Sequence, residues 1–130
     1  MVLSRRDFIF MASAAGLTAI ASGYALPQGE QKMYGLIGKM MAVPGQRDAL
    51  ISILLENAAT MPGCLSYIVA KDATDANAVW VTEVWDSQES HKNSLSLPSV
   101  QKTIARGKPL IAGFGERFVT EPVGGQGLKH

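Results

Sequence analysis

One cysteine, Cys64, is all the chain has, so no intrachain disulfide can form. Only two histidines are present, His91 and His130, and no metal-ligand spacing joins them to the cysteine, so a closed zinc site has no basis. Charge is also scarce. Charged residues make up 18% of the 130 positions, the net charge is +1, and no basic block occurs. A nucleic-acid surface needs a basic stripe or patch, and none is visible. What the chain does have is 47% hydrophobic residues, enough for a globular core and too many for a disordered segment. At this length one domain is the expectation.

The first 25 residues read as an address. Ser4-Arg5-Arg6-Asp7-Phe8-Ile9-Phe10 precedes a run with no charge from Phe8 to Gly29. A positive start, an apolar middle and a small-residue exit at Ala25 form the layout of an export signal. The paired Arg5 and Arg6 resemble twin-arginine signals, which implies export of a folded protein to a periplasmic or extracellular location. An uncleaved membrane anchor is the alternative, and the signal would be the only membrane contact. Cleavage after Ala25 would remove two of twelve basic and one of eleven acidic residues, leaving ten of each. Residues 26–32 then form a linker, 33–122 a folded domain and 123–130 a flexible tail, where His130 is solvated.

The domain itself reads β-α-β-β-α-β. Lys32–Val43 is apolar and strand-like and stops at the turn pair Pro44-Gly45. Leu50, Ile51, Leu54, Leu55 and Ala58 then recur at helical spacing as one apolar stripe, with Pro62-Gly63 expected to stop the helix. Cys64–Lys71 and Ala78–Trp85 are strands joined by the turn-rich Asp72–Asn77, an antiparallel hairpin. Asp86 and Ser87 both suit a helix N-cap, and Asp86 with Glu89 has capping-box spacing. The helix should run to about Ser96 and break at Pro98. Ser99–Gly107 makes a further helical piece, ended by Pro109. In the last strand, Gly113–Pro122, Phe114, Glu116, Phe118 and Thr120 alternate against Arg117, Val119 and Glu121. This order gives an α+β, ferredoxin-like sandwich with helices on one face of an antiparallel sheet. The other face would be a large wet apolar patch, so a second copy of the chain is expected to cover it.

Several residues could carry chemistry. His91 is the only histidine of the folded part, and an imidazole suits proton abstraction near neutral pH. Glu83 lies two residues before Trp85 on one strand face. A carboxylate in so apolar a strand must find a partner, such as Arg117 or Lys39, or raise its pKa. Trp85, Tyr67 and Trp80 are candidate walls of a ligand pocket, and each could equally be a packing residue. Cys64 has no histidine near it in sequence to activate it.

The run Thr82–Phe114, with Glu83-x-Trp85, the capped helix and Ser94-Leu95-Ser96-Leu97-Pro98-Ser99-Val100, resembles the antibiotic biosynthesis monooxygenase family, and within it the small quinol monooxygenase-like members. The turn Pro62-Gly63-Cys64 into the second strand fits as well. The resemblance covers about Met33 to Thr120. It implies a homodimeric α+β barrel, each subunit holding a pocket between sheet and helices. It also implies oxidation of quinols or related phenolic aromatics by O2 without flavin, metal or haem. On that footing His91 is the candidate catalytic residue, and Trp85, Tyr67, Trp80 and Glu83 are the candidate substrate contacts. Many relatives have a histidine nine residues after the tryptophan, where this chain has Ser94. In haem-degrading relatives the porphyrin-packing tryptophan and the iron-ligating histidine fall at positions held here by Ser94 and Ile104, which can do neither job. A non-catalytic, dimeric small-molecule-binding or stress-associated module is the other function that this resemblance allows.

Overall fold

The computed structural model describes residues 32–56, 58 and 60–128. The export signal read at residues 1–25 and the terminal His130 lie outside them. Four strands form one sheet: β1 (Tyr34–Ala42), β2 (Cys64–Lys71), β3 (Ala78–Trp85) and β4 (Ile111–Thr120). Their spatial order is β2-β3-β1-β4, and each neighbouring pair is antiparallel. Helices α1 (Arg47–Leu55), α2 (Gln88–Ser94) and α3 (Pro98–Gly107) complete the α+β ferredoxin-like fold, with a 3-10 turn over Lys108–Leu110 before β4. The expected element order therefore holds, including the break of the second helical region at Pro98.

In the two central strands Leu36, Ala42, Val79, Val81 and Trp85 are buried on the face that the helices cover. Ala42, Leu50, Val79 and Val81 form the buried cluster, and Met40, Ile51, Leu54, Tyr67, Val69, Leu110 and Ile111 pack around it. Burying a side chain such as Leu50 contributes about 1.5–3 kcal/mol. Arg47 fixes the start of α1 by donating to the Asp75 carbonyl at 2.8 Å, across the β2–β3 turn.

Some local expectations need correction. The stripe of α1 is rotated from the one expected: Ile53 is buried, whereas Leu55 is 49% exposed. The helix also ends at Leu55, well before Pro62-Gly63. Glu56 and Ala58 donate to Ile53 and Leu55, three residues back, and these tighter bonds lead the chain out of α-helix. At α2 the cap is Ser87, whose hydroxyl accepts from the Ser90 N–H at 3.1 Å. The Asp86–Glu89 box is not used; Asp86 Oδ1 accepts from the Ser87 hydroxyl instead. In β4, Gly38 to Met40 of β1 faces Arg117 to Phe114, so β4 carries one extra residue there. That bulge puts Phe114 on the helix side with Arg117 and Val119, not on the face of Phe118.

Gly63 shows how the turn before β2 is locked to α2. Its φ is +84°, a left-handed value. A Cβ there would fall 2.6 Å from Ser90 Cβ and 2.9 Å from Asp86 Oδ1. Gly63→Ala is therefore expected to destabilise the fold by about 1–2 kcal/mol from backbone strain alone. A denaturant midpoint equal to that of the unaltered protein would contradict this.

Candidate active site

The sheet's alternation decides which side chains meet. Glu83 and Trp85 share the helix side of β3, and Glu83 stands directly opposite Tyr67 of β2 and Leu36 of β1. The Trp85 indole N–H donates to Glu83 Oε1 at 2.8 Å. His91 reaches down from α2, its Nε2 4.0 Å from the same oxygen. The His91 ring stands edge-on to Trp85 at 5.4 Å between centroids and tilts against Tyr34 at 5.3 Å. Both Glu83 and His91 keep only 16% of their side-chain surface exposed. Aromatic rings thus hold the imidazole beside the carboxylate.

Burial pushes the Glu83 carboxyl above its ordinary value of 4.5, and the Trp85 hydrogen bond, His91 and Arg117 each pull it back in part. Tyr67 is pushed far up as a phenol, first by burial and then by the neighbouring Glu83 charge and Cys64. A half-buried carboxylate with a raised pKa is nearer to working pH as a proton acceptor than an exposed one.

These groups line a cavity of about 180 Å³ between the sheet and the helices, together with Met40, Leu54, Met61, Leu95 just past the end of α2, and Val100, Thr103 and Ile104 of α3. A larger apolar hollow of about 510 Å³ adjoins it and shares Met40, Leu54, Thr103 and Ile104. On the other side, Glu83 and Arg117 border a hollow of about 190 Å³ over Gly38.

The structure brings His91, Trp85, Tyr67 and Glu83 together in this one cavity. It does not bring Trp80 there. Trp80 pairs with Lys39 on the opposite face of the sheet, where its indole donates to Asp72 Oδ2 at 2.7 Å and Lys39 Nζ sits 5.6 Å from the ring centre. Asp72, which also accepts from the Thr74 and Asp75 N–H groups, is held well below the usual carboxylate range. Lys39 pairs with Glu116 at 3.7 Å and is not a partner of Glu83, whereas Arg117 does lower the Glu83 pKa. Sequence reasoning missed Tyr34, which backs His91; its alternation with Leu36 and Met40 along β1 was the available signal. Ser94 lies one helical turn from His91, lines the same cavity and donates to the His91 carbonyl at 2.6 Å. Among the described residues, no three His, Cys, Asp or Glu side chains gather as a metal-binding group.

Fold and cavity together define a ferredoxin-like α+β domain with a pocket under its helices that holds a carboxylate and an imidazole. Residues 33–106 match the antibiotic biosynthesis monooxygenase family, and the chain belongs to that family. A crystal structure from Chloroflexus aurantiacus J-10-fl, named for the same family, is 69% identical, with a TM-score of 0.72; the match covers 74% of this chain and 98% of that one. Family-named structures from Caulobacter crescentus CB15 and Deinococcus radiodurans share the fold at 21% and 24% identity, with TM-scores of 0.65 and 0.60. Those matches cover 73% and 71% of this chain and 93% and 94% of the others. None of the curated proteins compared matches the chain.

Proposed function

We propose that the protein is a monooxygenase that oxidises a quinol or related phenol with O2 and needs no bound cofactor. The observation that carries this reading is the Glu83 carboxylate, desolvated yet hydrogen-bonded to Trp85 and set beside His91 in a largely apolar cavity. Triplet O2 reacts slowly with closed-shell molecules, but a quinol anion can give up an electron to it directly. In this reading Glu83, with His91 beside it, takes the hydroxyl proton of the substrate. The aromatic walls hold the ring and keep water from the radical pair. One oxygen atom enters the ring in place of a hydrogen, the quinol ends at the quinone level, and the second oxygen leaves as water.

Two further parts of the proposal concern assembly and location. Ile68 and Phe118 are more than half exposed on the outer sheet face, which supports a homodimer closed over that face. The Arg5-Arg6 run supports export by the twin-arginine route to the periplasm or the exterior.

The test is O2 uptake with a small quinol such as reduced menadione. The expected result is uptake faster than in buffer alone, with a product one oxygen atom heavier than the simple quinone. Uptake no faster than in buffer, across a panel of quinols and phenols, would overturn the proposal.

A further inference from the structure

The geometry points to a substrate with two parts: a hydroxylated ring and an aliphatic tail. The inference rests on the quinol or phenol reading of the smaller lobe. That lobe, at about 180 Å³, lies below the roughly 300–1,000 Å³ of common ligand pockets, whereas its neighbour, at about 510 Å³, lies within that range. The two lobes meet at Met40, Leu54, Thr103 and Ile104, which line both. The acid–base groups border only the smaller lobe. Beyond the shared residues, the larger lobe runs one turn further along α1 to Leu50 and along α3 to Gly107, and is bordered by Lys108, Ile111 and Ala112.

The chemistry of the larger lobe is aliphatic. Thr103, one of its few polar residues, donates its hydroxyl to the Ser99 carbonyl at 3.0 Å. Branched and unbranched aliphatic side chains make most of the wall, with Phe114 at the rim, 73% exposed. Such a surface gains from an apolar chain, and Lys108 is the one charged group on it. Met40 at the junction is flexible and adapts to a chain passing it.

The experiment is a binding series under argon, using hydroquinones with methyl, butyl, hexyl and octyl substituents, followed by turnover of the same compounds in air. Affinity is expected to rise about fourfold per added methylene until the lobe is full. Ala112→Phe, which fills the larger lobe, is expected to cut the octyl-to-methyl affinity ratio at least tenfold. Equal affinity across the series, with the methyl compound still bound and oxidised, would overturn the tail and leave the proposed reaction standing. A chain-length dependence that is just as steep for alkylbenzenes without hydroxyls, with no turnover of any hydroquinone, would uphold the tail and overturn the reaction. A ratio unchanged in Ala112→Phe would place the chain elsewhere and overturn the inference.

Discussion

Glu83→Gln is expected to lower kcat/KM for quinol oxidation by about 100- to 10,000-fold, the usual contribution of a positioned general base. The amide keeps the shape of the carboxylate and can still accept the Trp85 hydrogen bond, so lost activity would report lost basicity rather than lost packing. Stability should move the other way. Burial raises the Glu83 pKa above 4.5, so the folded protein holds this proton more tightly than the unfolded chain does. The contribution of the group to stability is present in full below the unfolded-state pKa and is lost as pH rises through the raised folded-state value. The Gln variant should therefore match the parent at low pH and become the more stable of the two as pH rises through that window. Denaturant melts at several pH values would check this. A variant that keeps its turnover would remove Glu83 from the mechanism.

Trp85→Ala is expected to cost about 3–5 kcal/mol, because the indole is 1% exposed and among the largest fully buried side chains. For a domain whose total stability is on the order of 5–15 kcal/mol, that is a large share. Trp85→Phe separates packing from electrostatics. It keeps most of the ring but removes the N–H that favours the Glu83 anion. The Glu83 pKa should then rise, and the acidic limb of the pH–rate profile should move to higher pH. An unmoved limb would mean that this hydrogen bond does not tune the base.

The strand order was legible because Pro44-Gly45, Pro62-Gly63 and Pro98 punctuate segments of clear periodicity. The meeting of Glu83 and Trp85 was legible too, since residues two apart on a strand share a face. The errors arose where one residue changes a phase. A helix of nine residues has little length over which to average, so Leu55 and Ile53 exchanged places in the expected stripe. The β4 bulge turned Phe114 to the other face in the same way, because strand side chains alternate with a period of two. Trp80 could not be separated from Trp85 as a wall residue on type alone; parity along β3 separates them, since 80 is even and 83 and 85 are odd. The proximity of His91 to Glu83 depends on where α2 crosses the sheet, which no local pattern encodes.

The extra residue in β4 has a consequence for how this pocket can change over time. Phe114 stands at the rim on the helix side because three steps of β4, Arg117 to Phe114, span two steps of β1, and a second such shift follows between Gly113 and Ile111. Loss of a single codon between Phe114 and Arg117 would remove this bulge and leave Phe114 two residues from Arg117, still facing the helices. The width of the opening is therefore buffered against that deletion and is set by the side chain carried at position 114.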